Sequence, residues 1–428
     1  MRRKLLIVSQ VFVPDPASVG QHMADVAFEM ARRGHRVSVL ASARGYEDPN
    51  RRYPLRETLR GVEITRIDRA SFGKRSILAR VLGTASFTGQ AFFRCLFARD
   101  LGAIFFSTSP PLVGFMAAIV GLLRGVPVAY WAMDLNPDQL IALGKLQPAA
   151  PAARVLEAIN RFILRRSRLI VALDRFMAGR LEQRMPLRDR LLVMPPWPHE
   201  DHIAGDDAAD SIRPANREDN PFRRQHGLTG KFVVMYSGNH SPSNPLGTLL
   251  DAAERFRDDP TLRFAFVGGG LGKKEVEERV RDRKLTNIVS LPYQPIEDLR
   301  HSLAAADAHV VSLGGDMVGI IHPCKIYGAM AAGRPVLYLG PRPSHVSDLL
   351  DAHGFGRAVA HGDVDGCARA IDDLRRTPPA ELARMGDVAR RVVDQSLAQR
   401  VLNARFCDAL ERSLRLRPRG AGDTVGPL

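Results

Sequence analysis

The sequence is poor in the residues that build covalent or metallic frameworks. It holds only four cysteines in 428 residues, Cys95, Cys324, Cys367 and Cys407. They lie far apart, with no Cys-x-x-Cys pair and no ligand spacing. That argues against a disulfide scaffold or a zinc module, and free thiols in a reducing cytoplasm are expected. Long apolar runs are missing too. The longest, from Pro111 to Leu123, stops at Arg124, short of the roughly 20 residues that span a bilayer. The opening Met-Arg-Arg-Lys-Leu-Leu-Ile-Val begins like a secretory leader, but Ser9 and Gln10 interrupt it, and it reads as a first buried strand. There is no G-x-G-x-x-G fingerprint, which disfavours dinucleotide binding. Acid is scarce relative to base: 61 Lys and Arg against 46 Asp and Glu leave a net charge of +15. Two readings of that excess stand open. One is an anionic partner, such as nucleic acid, an acidic lipid surface or a phosphate-rich substrate; the other is a preference for arginine on solvated faces. No nucleic-acid-binding motif accompanies the charge.

What is present is a globular composition, 45% hydrophobic and 25% charged, long enough for two or three domains. In the first half, apolar strand-like runs alternate with helical patterns. Strands are predicted at 4–8, 36–40, 62–67, 103–107, 126–131, 169–173 and 191–194. After the first of them, Met23, Val26, Ala27, Met30 and Ala31 recur at helical spacing before Gly34. Apolar runs between helices mark strands buried on both faces, as in a parallel sheet. The alternation stops near Pro195-Pro196-Trp197-Pro198, and a polar connection follows. It resumes with strands predicted at 232–236, 263–267, 288–291, 309–313 and 336–339, and the chain closes on helices near 379–393 and 397–414. The prediction is an α/β protein with two Rossmann-like parallel-sheet domains facing a cleft. The first covers 1–197 and is joined by a final helix at about 396–414; the second covers 198–395; a disordered tail covers 415–428.

Ligands of such sheets bind beyond the carboxyl ends of the strands, so the candidate positions lie there. The loop 11–20 ends in Gly20, which either lets backbone amides approach a phosphate or belongs to an ordinary turn. Gly238, Asn239 and His240 follow a predicted strand. There the Asn and His side chains can offer donors to a phosphate or sugar, against the alternative of a plain turn. The run from Gly268 to Lys274 invites a phosphate-loop reading but misses its spacing: Gly268 to Lys273 is one residue short, and Lys274 stands where Ser or Thr belongs. A tight turn before a helix fits it better. Pro323 suits a helix start, which places Lys325 in the first turn. The helix dipole disfavours a cation there unless an anion shares the place, the alternative being a solvated lysine. Asp134 follows a strand and either acts on a hydroxyl or caps the helix after Pro137. The segment 73–99 is basic and aromatic without an acid, with Lys74, Arg75, Arg80, Phe92, Phe93 and Arg94, as suits an anionic bilayer surface.

Taken in order, these stretches resemble the family 4 glycosyltransferases, in particular bacterial enzymes of capsule, colanic-acid-type and O-antigen assembly. The resemblance rests on the proline-containing loop before Gly20, the Gly34-His35-Arg36-Val37 turn, Asp134-Leu135-Asn136-Pro137 and Pro195-Pro196-Trp197. It continues through Tyr236-Ser237-Gly238-Asn239 and the run from Pro323 to Pro335, so it covers nearly the whole chain. It implies a GT-B fold, a nucleotide-sugar donor (UDP- or GDP-linked) held mainly by the second domain, and retaining transfer with no metal or other cofactor. It places Gly20 near the diphosphate and Lys325 by the diphosphate or donor sugar, with Tyr293 and Gln294 near the base. The backbone of Ile320, Ile321 and His322 would face the transferred sugar. Lys325 and Asp134 are then the catalytic candidates, the first for the leaving diphosphate, the second for the acceptor hydroxyl. The implied acceptor is a polyprenyl-diphosphate-linked saccharide at the cytoplasmic face of the plasma membrane, with no role for nucleic acid. The chain departs from the family pattern at two places. The phosphate-binding Arg and Lys are replaced by Asn239 or His240 and by Asn244, and Ile320 and Gly328 stand where paired glutamates are expected. Two rival readings stand beside this one, a nucleotide-sugar epimerase of the same fold and a catalytically silent sugar-nucleotide-binding partner of an assembly complex, and the departures are the best support for the second.

Overall fold

The computed structural model of the protein describes residues 3–15, 17–45, 50–68, 77–198, 219–295 and 298–416. Lys74 and Arg75, most of the polar connection (199–218) and residues 417–428 of the expected tail lie outside the described residues. The chain divides into two compact units, Met1–Pro196 with Arg400–Leu428, and Trp197–Gln399.

The first unit is built on strands β1 (Lys4–Val8), β2 (Val37–Ser42), β3 (Arg56–Leu59), β4 (Val62–Ile67), β5 (Leu101–Ser107), β6 (Val128–Trp131), β7 (Ser167–Ala172) and β8 (Leu191–Val193). They form one sheet in the order β3-β4-β2-β1-β5-β6-β7-β8, parallel except for β3. Every residue of β2 and β5 is buried, which is why these strands read as largely apolar runs rather than alternating ones. The unpredicted β3 is an edge strand, mostly exposed and charged. It joins β4 through Arg60 and Gly61, both at positive φ (47° and 79°), the two-residue turn that matches the twist of a hairpin.

Helices α1 (Ser18–Arg32), α2 (Ile77–Leu96), α3 (Val113–Arg124), α4 (Asp138–Ala142), α5 (Pro151–Arg166) and α6 (Arg175–Arg184) connect the strands. Phe87, Ala91 and Cys95 of α2, Met116, Ala117 and Val120 of α3, and Ile163 of α5 share one core with Leu6, Val8, Ile104 and Phe106 of the sheet.

The second unit carries β9 (Phe232–Ser237), β10 (Leu262–Val267), β11 (Ile288–Leu291), β12 (Ala308–Ser312), β13 (Val336–Leu339) and β14 (Gly356–Val359) in a wholly parallel sheet ordered β11-β10-β9-β12-β13-β14. β14, again an edge, is largely outside the core and carries no apolar run to announce it. The helices are α7 (Pro221–Gln225), α8 (Gly247–Arg255), α9 (Lys273–Arg283), α10 (Leu299–Ala304), α11 (Lys325–Ala331), α12 (His345–His353), α13 (Val364–Arg376) and α14 (Pro379–Val392). A buried ion pair locks the sheet's lower edge: Asp307 Oδ2 accepts from Arg223 (2.6 Å) and from Val233 N (2.8 Å).

After a π-helical turn at Val393–Leu397, α15 (Gln399–Leu414) lies almost wholly in the first unit. Two devices hold it there. Phe406 is fully buried, its ring 4.5 Å from Trp131 and 5.4 Å from Phe105. At the other end, Arg33 donates to Asp408 (2.6 Å) and Glu411 (3.1 Å), and His35 bonds Glu411 at 2.8 Å. The Gly34-His35 turn therefore serves this helix as well as the strand it precedes.

Candidate active site

In the second unit, β9 ends at Ser237 and the chain turns through Gly238 at φ +130°, where an L side chain is strained. Space requires glycine as well: a Cβ on Gly238 would lie 2.7 Å from Lys325 Cε. One on Gly268 (φ +130°) would lie 2.1 Å from Gly238 O, and one on Gly270 (φ +119°) 2.2 Å from Asn239 Oδ1. The loops after β9 and β10 thus meet backbone to backbone, with His240 N donating to Gly269 O (2.7 Å) and Gly272 N to His240 O (2.8 Å). The glycine run serves this packing and leads into α9, with Gly272 at its N-cap. Lys273 donates to Phe266 O (3.2 Å) and Leu291 O (2.6 Å), tying the ends of β10 and β11. A helix-leading turn, not a phosphate loop, is the geometry present.

Lys325 is the first residue of α11, as Pro323 implied. Its aliphatic stem passes beside Gly238, and its ammonium lies 5.4 Å from the centroid of the Tyr236 ring. Tyr236 is itself buried and donates its hydroxyl to Asn239 O at 2.7 Å. Burial pushes the Lys325 ammonium down to about 8. A cation stripped of much of its water and backed by an aromatic face gains from any anion that reaches it.

The other donor-site candidates fare differently. Asn239 is exposed, in the loop after β9. The His240 ring is fully buried, with Nδ1 bonded to Gly238 O at 3.0 Å and Nε2 without a hydrogen-bond partner among the described residues, and burial lowers it to about 4, so it is a neutral ring. Tyr293 is half exposed beside Gly269, its ring 3.1 Å from where a Cβ on that glycine would stand. Gln294 donates to Pro292 O at 3.0 Å. Ile320 and Ile321 are buried, and both amides point at Met317 O (3.0 and 3.3 Å). Their N–H groups are engaged within the turn.

His322 brings in two residues that sequence reasoning did not single out. Its Nε2 lies 2.6 Å from the hydroxyl of Tyr327, and that hydroxyl lies 2.9 Å from His345 Nε2. The His322 ring stacks on Tyr327 (19° between planes) and sits 4.5 Å from the His345 ring. Tyr327 is on α11 and His345 opens α12, twenty-three positions after His322; no local pattern connects them.

In the first unit, Asp134 follows β6. Its amide donates to Thr108 Oγ1 at 3.3 Å, and its side chain is half-buried. Desolvation raises its carboxyl to about 6. It does not cap α4, whose N-cap is Pro137 without a side-chain bond, so the capping alternative falls away. A carboxylate poised near neutrality suits proton transfer. Gly20 sits within α1 with its amide bonded to Ala17 O (2.9 Å), and a Cβ there would meet Phe12 N at 3.1 Å. Glycine is needed at this position for close packing of α1 on loop 11–15. At the end of α2 and just past it, Phe93 and Phe97 are exposed (60% and 75%) with Arg94 and Arg99 near them in sequence. Phe92, expected on the same surface, instead packs against the core. The Arg80 side chain lies outside the described residues.

Two α/β units on parallel sheets, with candidate residues just beyond strand ends in each, have the make-up of GT-B glycosyltransferases. Residues 18–197 match the glycosyl transferase 4-like domain and residues 231–377 the glycosyl transferases group 1 domain. Together the matches cover well over half of the chain, which belongs to the glycosyltransferases built from this pair of domains. Among curated relatives, it is 23% identical over 415 residues to the putative colanic acid biosynthesis glycosyl transferase WcaI of Escherichia coli K12, covering 92% of this chain and 96% of that one. It is 24% identical over 309 residues to the probable glycosyltransferase WbjE of Pseudomonas aeruginosa, covering 72% and 74%. Among solved structures, Anabaena HepE with UDP and glucose superposes with a TM-score of 0.69 at 17% identity, covering 96% of this chain and all of that one. Sucrose-phosphate synthase of Thermosynechococcus elongatus gives 0.73 at 16% identity, covering 96% and 99%. The expected fold class and family are thereby established.

Proposed function

We propose that the protein is a retaining glycosyltransferase of bacterial surface-polysaccharide synthesis. It moves a sugar from a UDP- or GDP-sugar to a polyprenyl-diphosphate-linked saccharide at the cytoplasmic face of the plasma membrane. The observation that carries the reading is Lys325, a half-buried lysine beside Gly238 and Tyr236 at the carboxyl end of β9. In transfer, the bond from the anomeric carbon to the diphosphate breaks, and the acceptor oxygen takes its place on the same face. Negative charge grows on the leaving diphosphate, and a positioned cation in a low-dielectric setting stabilises that charge more than it stabilises the ground state. On the first unit, Asp134 is the group assigned to the acceptor hydroxyl and its proton. The reading uses no metal.

The relatives support it. WcaI is named for colanic acid synthesis, and HepE holds UDP and glucose. Exposed Phe93 and Phe97 with Arg94 and Arg99 give the first unit a surface suited to anionic lipid. No helix of the described residues is long and apolar enough to cross a membrane.

The test is melting temperature and sugar transfer against a panel of UDP-, GDP-, TDP- and ADP-sugars in EDTA, with bacterial lipid-linked acceptors. A selective shift with one donor, followed by transfer that K325A depresses at least tenfold, is the expected result. Binding without transfer by any preparation favours the silent-partner reading, to which Ile320 and Gly328 at the glutamate positions lend support. Release of an epimerised free donor favours the epimerase.

A further inference from the structure

The hydroxyl of Tyr327 bridges two imidazoles from different elements. His322 lies on the turn after β12, Tyr327 on α11, and His345 at the start of α12. A tyrosine hydroxyl carries one proton, so it can donate to only one of the two rings. The other ring must donate to it, and at least one histidine holds its proton on Nε2. The chain is therefore directional, and its 2.6 and 2.9 Å spans and the 19° stacking fix all three side chains against one another. Tyr327 and His322 are both under one-tenth exposed, where a satisfied polar network rigidifies its surroundings.

Lys325 lies between the two clamped residues in sequence. Residue 322 is held three positions before it and residue 327 two positions after it. The turn is fixed further by Cys324 N donating to His322 O at 2.9 Å. We propose that Tyr327 and His345 are positioning residues for Lys325: their hydroxyl–imidazole chain to His322 pins the backbone on both sides of the lysine and so holds its ammonium at Gly238 and Tyr236. The inference rests on the assignment of Lys325 to the donor's diphosphate. A displacement of about 1 Å at such a cation is enough to cost up to about a hundredfold in rate, while a misplaced lysine still attracts the donor. The clamp thus acts on kcat more than on donor KM.

The test is a double-mutant cycle in the full-length protein with the donor identified above. Y327F removes only the shared hydroxyl; it is expected to lower kcat about tenfold and to leave donor KM within about twofold. H345A is expected to match it. H345Q, whose amide reaches the Nε2 position, is expected to recover most of the loss, and this rescue separates positioning from damage to the fold. In a K325A background, Y327F is expected to cost less than about twofold more, because the two act as one unit. A full tenfold loss from Y327F on top of K325A overturns the proposal, as does equal loss in H345A and H345Q. If K325A itself transfers sugar like the wild type, the donor assignment of Lys325 fails, and the clamp's role through it fails with it. If only Y327F is silent, the donor assignment survives and the clamp alone is refuted.

Discussion

Gly238 and Lys325 are mutually dependent: the space that a side chain at 238 would fill is occupied by the lysine's own stem, 2.7 Å from the position of the missing Cβ. Gly238→Ala therefore does two things at once. It places an alanine at φ +130°, a region open only to glycine at ordinary cost, and it pushes the ammonium off Tyr236. The expected outcome is a loss of about 1–3 kcal/mol in unfolding free energy from backbone strain, with transfer falling at least tenfold beyond what the lost stability explains. Urea denaturation and initial-rate assays measure the two separately; an alanine variant with wild-type turnover would show that Lys325 does not depend on this approach.

The pH profile follows from two shifted groups. Asp134 is raised to about 6 and serves as a base only above that value; Lys325 is lowered to about 8 and is a cation only below it. The dependence of kcat/KM on pH should then be a bell, falling below about 6 as the carboxyl is protonated and above about 8 as the ammonium is lost. K325R should retain part of the activity and move the alkaline limb out of range, since a guanidinium keeps its proton. An alkaline limb that stays in place in K325R assigns it to another group.

Cys324 is the exposed cysteine and stands next to Lys325, whereas Cys95, Cys367 and Cys407 are buried with thiols pushed above their ordinary range. One equivalent of maleimide should couple rapidly, at Cys324, by peptide mass spectrometry. The preferred nucleotide-sugar should slow that coupling several-fold. Unaltered labelling under saturating donor would move the donor away from α11.

Phe406 should carry much of the attachment of α15. It is fully buried against Trp131 and Phe105, and truncating such an aromatic to alanine costs about 3–5 kcal/mol. Phe406→Ala should lower the urea midpoint and change tryptophan fluorescence, because Trp131 is one of only two tryptophans. An unchanged midpoint would mean that the Arg33 and His35 contacts with Asp408 and Glu411 suffice.

Vesicles rich in phosphatidylglycerol should sediment the protein at low salt and release it as ionic strength rises. Replacing exposed Phe93 and Phe97 by serine should weaken binding about tenfold without changing the melting temperature. Equal binding to neutral vesicles, or no effect of the two serines, would remove this surface from the reading.

The sequence alone was sufficient for the order of the buried strands, because strands buried on both faces leave an apolar run that local composition reveals. Kinship with the glycosyltransferases was legible in the same way, from short stretches such as Asp134–Pro137 and Pro323–Pro335 in a fixed order. The edge strands β3 and β14 escaped notice because an exposed edge needs no apolar run. Among the candidate residues, the places of Lys325 at a helix start and Asp134 after a strand were legible. Whether a side chain was available to a ligand was not. The amides of Gly20, Ile320 and Ile321 and the Nδ1 of His240 bond within their own loops, which no periodicity announces. The linkage of His322, Tyr327 and His345 likewise exists only in three dimensions. Periodicity is a property of neighbours along the chain, whereas a hydrogen bond between two βα loops depends on how the sheet brings distant loops to one edge, and only the folded structure decides that.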